Sequence, residues 1–383
     1  MSHRLIRSTG CLFWACITLF GLTAAPQTAQ AQTGSRVAEA QKTFPAQSWQ
    51  VVSSPEKAGW SKEKLAAAHQ YADSIHSSAV MIVQGGRVID EWGDIDKKIN
   101  GYSMRKSLLS ALYGIYAAEG KIDINETLEQ AGIDETNDPL TKEERQARIV
   151  DLLRARSGVY HQVDFETALM KRLRPPRGSH APGTYWYYNN WDFNVLGAIF
   201  EKKTGLKMGD AFYQRVAKPI GMQDFQPADV HYFGGPASIY PGYQFEITAR
   251  DLARFGLLYL NHGRWMGRQI VPAAWVDKST HASEGVKAAG VELGGYEYLW
   301  WVEYGGVHLP EATLPGMYSA RGATGHYLLV VPSKDLVIVH RVDTNPPAWD
   351  AASVNETASH EVVSKDQFGH LVRLILDAET AHP

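Results

Sequence analysis

Three features of the sequence predict an α+β fold, with an antiparallel sheet built from both termini, flanked by helices, and a mostly helical region inserted between its strands. Strand-like, β-branched runs occur within 80–92 and 299–342, and between them the apolar positions recur at helical spacing. Strands from both ends of a chain bury their apolar faces most simply in one shared sheet. The cleft between sheet and helical region is then the natural place for chemistry. The predicted parts are a leader at 1–31, a linker or arm at 32–59, a sheet part made of 60–100 plus 290–383, and a helical part at 101–289.

The leader is read from Arg4 and Arg7, the apolar run at 11–22 and the small-residue pattern Ala29-Gln30-Ala31, which have the order of a secretory signal cleaved after Ala31. The run falls short of the roughly 20 residues that span a bilayer. The expectation is therefore an exported protein, periplasmic or secreted, with no stable membrane association after cleavage. Both cysteines, Cys11 and Cys16, lie inside the leader, so the mature chain has neither a thiol nor a disulfide. Residues 32–55 are polar and aperiodic. Ser61 then caps a helix whose Leu65, Ala68, Ala72 and Ile75 share a face, and a hairpin of 80–83 and 88–92 turns at Gly85-Gly86. Helical patterns run from Ser103 to the stop at Gly120 and return at 142–156, 191–204 and 248–262. Strand-like runs follow at 299–304, 317–321, 327–331 and 336–342, before a closing helix at 366–376.

Composition narrows the function classes. The chain has 383 residues, 44% of them hydrophobic and 21% charged, enough for a large core. A net charge of -3, from 38 Lys+Arg against 41 Asp+Glu, leaves no basic surplus for nucleic acid or an anionic membrane surface. The 14 His form no H-E-x-x-H and no Cys/His cluster, so neither a metal nor a cofactor is expected. A G-x-S-x-G elbow is missing, because Arg105 stands where Gly101-Tyr102-Ser103 would need its second glycine. What remains is a small-molecule substrate.

Ser103-Met104-Arg105-Lys106 is an S-x-x-K tetrad, whose spacing on a helix stacks the amine one turn from the hydroxyl. Ser54-Pro55-Glu56-Lys57 and Ser61-Lys62-Glu63-Lys64 also fit the pattern and read as surface. The Ser103 tetrad differs in opening an apolar helix, where burial would depress the lysine pKa and make its amine available as a base. Tyr188-Asn189-Asn190 is a Y-x-N whose phenol can relay a proton; Tyr187-Tyr188-Asn189 and Tyr259-Leu260-Asn261 fit equally. Ser319-Ala320-Arg321-Gly322-Ala323 reads as a strand ending in Gly, beside which a substrate carbonyl could meet a backbone N–H.

As a set, the tetrad, Leu152-Leu153-Arg154-Ala155-Arg156-Ser157-Gly158, Pro182-Gly183-Thr184 before Tyr188-Asn189-Asn190, Leu196-Gly197, Pro219-Ile220-Gly221-Met222, the Thr248–Gly256 stretch and 332–339 resemble the serine β-lactamase-related hydrolases of the class C type. The resemblance covers roughly residues 60 to 376. It implies a β-lactamase/transpeptidase-like fold, an acyl-enzyme on Ser103, proton transfer by Lys106 and Tyr188, substrate hydrogen bonding by Asn190, and an oxyanion hole from the backbone N–H groups of Ser103 and Ala323. The distance to Leu196-Gly197 selects Tyr188 over Tyr187. Ala320-Arg321-Gly322 would stand in the place of the family's K-T-G or H-x-G strand, with Ala323-Thr324-Gly325 as the alternative register. Either way the leading cation is replaced by Ala320 or Ala323. That departure resembles the esterase and amidase branch, which includes the 6-aminohexanoate-dimer hydrolases. Arg321 and Gly322 are then the substrate-binding residues of the strand, although Arg321 points away from the face of its neighbours.

The expected function is hydrolysis of a small ester or amide through an acyl-serine. Two alternatives are a β-lactamase or DD-peptidase acting on β-lactams or peptidoglycan peptides, and a non-catalytic binding protein of the same fold. A fluorophosphonate label separates the last from the others. Tyr185, Trp186, Tyr187, Trp191, Trp300 and Trp301 suggest a cleft walled by aromatic rings.

Overall fold

The computed structural model describes residues 43–164, 166–344 and 363–380; the expected leader lies outside them. Ser61 caps α1 (Lys62–Ser74) by accepting the Lys64 N–H, and Leu65, Ala68 and Ala72 face inward. The chain turns through β1 (Ala79–Gln84) and β2 (Arg87–Gly93), passes β3 (Ile99–Asn100) and enters α2 (Arg105–Ala118). Helix α2 is buried without a break from Arg105 to Tyr116, because its apolar positions leave no polar stripe.

Next come α3 (Ile149–Leu153), α4 (Ala168–Leu173), α5 (Asn190–Thr204) and α6 (Met208–Phe212). They are followed by β4 (Val230–Phe233), β5 (Gly242–Ile247) and α7 (Ala249–Leu260). The short pairs β6 (Arg264–Trp265) with β7 (Arg268–Gln269) and β8 (Lys287–Ala288) with β9 (Val291–Glu292) lie on either side of α8 (Ala273–Thr280) in sequence. Last are β10 (Gly295–Glu297), β11 (Trp300–Val302), β12 (Tyr318–Gly322), β13 (His326–Val331), β14 (Leu336–Arg341) and α9 (Lys365–Ala378).

The main sheet has seven antiparallel strands in the order β10-β11-β12-β13-β14-β1-β2. Its two sequence ends meet where Ala79 lies opposite Arg341 and Gln84 opposite Leu336. Period-2 alternation sends Leu328, Val330, Val337 and Val339 into one core with α2 and α7, and Leu329, Val331, Leu336 and Ile338 into a second core with α1 and α9. Burial on both faces explains why these strands read as nearly continuous apolar runs. The chain thus has an α+β architecture in which strands from both ends of the sequence share one antiparallel sheet.

Three local features differ from the sequence expectations. The pattern at 142–156 yields only a turn at Glu144–Gln146 and the short α3. Between them Ala147 is extended, its carbonyl accepts from Leu128 N–H, and Arg148 bridges Thr127, so pairing with 127–128 breaks the helix. A small three-stranded sheet, β3-β5-β4, also ties residues 99–100 to the inserted region, and the sequence analysis did not register it although Tyr243, Phe245 and Ile247 alternate with Gln244 and Glu246 along β5. Finally, Ser103 lies in a 3-10 turn, Tyr102–Met104, ahead of α2 rather than within it.

From residue 43 the arm is held against the fold. The buried Arg254 guanidinium donates to the carbonyls of Pro45, Ala46 and Gln47, Trp49 Nε1 donates to Arg250 O, and Val51 bridges Val88. No helix among the described residues is long and apolar enough to cross a membrane.

Candidate active site

Ser103 is presented by a braced loop. Ile99 and Asn100 pair with β5, and Gly101 N–H donates to Phe245 O at 2.8 Å. The Asn100 side chain accepts from Tyr102 N–H at 2.8 Å, and Tyr102 is held at φ +46°, a region costly for a bulky residue. From β14, the buried Arg341 guanidinium donates to the carbonyls of Ile99 (2.8 Å), Asn100 (3.1 Å) and Ile247 (2.8 Å). It also donates to His326 Nδ1 at 3.0 Å, and the His326 ring stacks on Tyr102. Burial lowers the Arg341 pKa to about 9, so it remains a cation at neutral pH.

Lys106 Nζ lies 2.7 Å from Ser103 Oγ. The lysine is 2% exposed and its amine sits 4.8 Å and 4.6 Å from the ring centroids of Tyr188 and Phe193. Burial, then the neighbouring Arg105 charge, pushes its pKa well below the usual lysine range. Among the described residues no carboxylate pairs with Lys106 or Arg105. The Arg105 guanidinium instead donates to Tyr243 O and lies over the Tyr243 ring. Tyr188 is pushed up by burial, while a hydrogen bond with Ser103 and the charges of Arg105 and Arg321 act in the opposite direction. Its ring stacks on Trp301 at 5.6 Å and meets Tyr296 edge-on.

The two asparagines of the Y-x-N segment divide their tasks. Asn189 caps α5 by accepting Trp191 N–H, and its amide donates to Val159 O and to the buried Asp192. Asp192 also accepts from Ser157 at 2.6 Å, which ties the Ser157-Gly158 segment to this turn. Asn190 is the first residue of α5, and its Nδ2 contacts Met170 Sδ at 3.6 Å.

On β12, Ala320 is in the core and Gly322 faces the nucleophile loop so closely that a Cβ there would sit 2.6 Å from Gly101 O. Residues 323–325 form the turn into β13, with Thr324 at φ +67° and Gly325 at φ +100°. The strand segment beside Ser103 is therefore Ala320-Arg321-Gly322, and Ala323 follows at its end. Arg321 projects opposite Ala320; it donates to Ser319 Oγ (2.9 Å) and His308 O (3.0 Å) and lies 5.0 Å from the Trp301 ring. Burial lowers its pKa to about 10.

Ser103, Tyr188, Asn190, Trp301, Arg321, Gly322 and Ala323 are all half-buried. Trp191 and Trp300, by contrast, are fully enclosed core residues. The sequence analysis did not single out Phe193, Met170, His308 or Arg341. Arg341 could have been noticed as a charge at the end of an otherwise apolar strand. A separate surface cleft of about 610 Å³ near Tyr298 contains none of these groups, and its Arg148 and Arg154 are paired with Asp151 and Glu297.

A serine bonded to a buried lysine, with a tyrosine opposite and a glycine strand alongside, is an arrangement for acyl transfer, and the Beta-lactamase family model matches residues 63–361. The chain belongs to the beta-lactamase family. Members of this family are hydrolases, and hydrolysis is the general activity that membership supports. The chain is 21% identical over 286 residues to an uncharacterized protein of Alkalihalophilus pseudofirmus, covering 68% of this chain and 82% of that one. Its fold is similar to a Bacillus anthracis protein assigned as a 6-aminohexanoate-dimer hydrolase, with TM-score 0.56, 21% identity, and coverage of 76% of this chain and 80% of that one. It is also similar to a family VIII carboxylesterase (TM-score 0.54, 17% identity, 82% and 98% covered). A penicillin-binding protein homolog from Caulobacter crescentus gives TM-score 0.56 at 12% identity, with 84% and 99% covered. Beta-lactamase family members thus share this architecture at low sequence identity.

Proposed function

We propose that the protein hydrolyses a small ester or linear amide through an acyl-enzyme on Ser103. The observation that carries this reading is the 2.7 Å contact between Ser103 Oγ and a buried Lys106 amine that lacks a carboxylate partner among the described residues. A neutral amine takes the hydroxyl proton as Oγ attacks the carbonyl carbon. The oxyanion that forms is held by the backbone N–H groups of Ser103 and Ala323. Tyr188 passes a proton to the leaving group as the bond to it breaks. Water then adds to the acyl-serine, and the same groups return Ser103 to its starting state. Asn190 orients the substrate, and no metal or cofactor takes part in these steps.

Ala320 favours the ester and amide branch over penicillin chemistry, because its methyl cannot offer a cation to a substrate carboxylate. The half-buried Trp301 and Tyr188 rings favour apolar or flat groups in the cleft. Export through the leader is part of the same proposal, since Arg4, Arg7 and Ala29-Gln30-Ala31 have the order of a secretory signal.

Ser103→Ala is the direct test. Turnover of p-nitrophenyl esters should fall by about 10⁴-fold or more, with fluorophosphonate labelling lost and the thermal unfolding profile kept. Labelling that persists in Ser103→Ala would move the nucleophile elsewhere, and a wild-type protein that neither labels nor turns over would leave a binding role.

A further inference from the structure

We propose that His326 is a positioning residue for the two backbone donors of the oxyanion hole: its ring holds Tyr102, and with it the Ser103 N–H, against the hairpin turn that carries the Ala323 N–H. This rests on the acyl-serine reading above.

Position 326 opens β13 on the same face as Leu328 and Val330, so period-2 alternation alone asks for an apolar residue there. The chain instead buries an imidazole completely. A guanidinium can only donate, so Arg341, whose Nε lies 3.0 Å from His326 Nδ1, fixes that nitrogen as an acceptor and leaves the ring proton on Nε2. Burial, then the charge of Arg341, pushes the His326 pKa well below the usual histidine range, which keeps the ring neutral. The ring so oriented stacks on Tyr102, with centroids 5.3 Å apart and planes at 25°. Tyr102 is the residue before Ser103 and is held at φ +46°, a conformation that a bulky residue keeps only when its surroundings enforce it. Across the hairpin, His326 is the register partner of Gly322, the residue before Ala323. A Cβ at Gly322 would lie 3.0 Å from His326 Cβ and 3.4 Å from Tyr102 Cβ, so the three residues converge at one point. His326 thus touches the residue that precedes each donor, and its ring sets the spacing between the two.

The test is active-site titration of wild type, His326→Leu, His326→Phe, Tyr102→Leu and the double variant His326→Leu/Tyr102→Leu. The fluorophosphonate end-point counts competent sites, so kcat and KM for p-nitrophenyl acetate are expressed per labelled site, and Tm is measured on each protein. A merely structural role lowers Tm and the labelled fraction and leaves the per-site constants alone. His326→Leu should lose about 10- to 100-fold in per-site kcat with KM little changed, the scale of a misplacement approaching about 1 Å. His326→Phe returns a ring to Tyr102 and should keep per-site kcat within about threefold of wild type, although its Tm falls because Arg341 Nε loses its acceptor. Tyr102→Leu removes the same stack from the other side and should match His326→Leu, with the double variant little worse than either. Wild-type per-site kcat in Tyr102→Leu or His326→Leu, losses that multiply in the double variant, or a His326→Phe enzyme as slow as Tyr102→Leu would each overturn the role of His326. A wild-type protein that does not label would instead overturn the acyl-serine reading itself.

Discussion

Gly322→Ala is the most direct probe of how the sheet completes the site. The added Cβ would lie 2.6 Å from Gly101 O and 3.0 Å from His326 Cβ. Ordinary contact needs roughly 0.6–0.8 Å more room against the carbonyl. Gly101 O cannot yield easily, because Gly101 N–H is bonded to β5 and the preceding carbonyls are clamped by Arg341. The strand carrying Ala323 N–H must then retreat from Ser103. Oxyanion donors work within about 2.7–3.1 Å of the developing charge, and a misplacement of about 1 Å costs on the order of 10²-fold in rate. The expected loss is about 10- to 100-fold in kcat for p-nitrophenyl acetate, with KM little changed and the fluorophosphonate labelling rate reduced in step. Gly325→Ala is the matched control. It strains a left-handed turn packed on Val363 rather than on the nucleophile loop, so it should lower Tm more than kcat. A Gly322→Ala enzyme with wild-type kcat and labelling rate would refute the claim that the close approach of Gly101 and Gly322 sets the oxyanion geometry.

Two further outcomes follow from the buried charges. Because Lys106 is held below the usual lysine range, kcat/KM should fall as pH drops through that depressed value and the amine takes up a proton. Between the folded value and the ordinary lysine value of about 10.4, the unfolded chain binds the extra proton, so stability increases with pH across that window. Lys106→Met should therefore abolish turnover yet raise stability near neutral pH, a gain that shrinks as the pH nears the ordinary lysine value; a lower Tm at pH 7 would contradict it. The second outcome concerns Ala320: short-chain p-nitrophenyl esters should exceed nitrocefin in kcat/KM by at least about 10- to 150-fold, the worth of one charge-assisted hydrogen bond. Wild-type preference for nitrocefin, or its selective loss in Arg321→Ala, would show that another cation holds the lactam carboxylate.

The architecture was legible where side-chain periodicity is enforced by burial. Strands β13 and β14 and helix α7 appear close to their predicted limits because each packs a complete face into a core. The short pairing of β3 with β5 and the broken helix before α3 were not legible, since both depend on contacts between residues distant in sequence. The site shows the same division. Spacing alone could suggest the Ser103–Lys106 contact, and the structure places the two at 2.7 Å even though Ser103 precedes the α-helix. It could not choose between residues 320–322 and 323–325, which differ only in that one is strand and the other a left-handed turn. Nor could it show that Arg341, more than 200 residues away in sequence, clamps the loop that presents the nucleophile.

The same buried surroundings give arginine and lysine different chemical fates. Arg105 and Arg341 are both almost fully enclosed and have no ion-pair partner among the described residues. A guanidinium does not release its proton at ordinary pH, so each is accommodated by donating to main-chain carbonyls: Tyr243 for Arg105, and Ile99, Asn100 and Ile247 for Arg341. Those bonds brace the loop and place a fixed positive charge beside the nucleophile. Lys106, in equal confinement, finds among the described residues only the Ser103 hydroxyl and two ring faces, and an ammonium there can lower its free energy by losing a proton. The neighbouring Arg105 charge adds to that tendency. Exchanging the two residue types would leave a permanent cation where the base is needed and a titratable amine where the brace is needed. The order Arg-Lys within the tetrad thus follows from the difference between a cation that must be solvated by the backbone and one that can discharge itself.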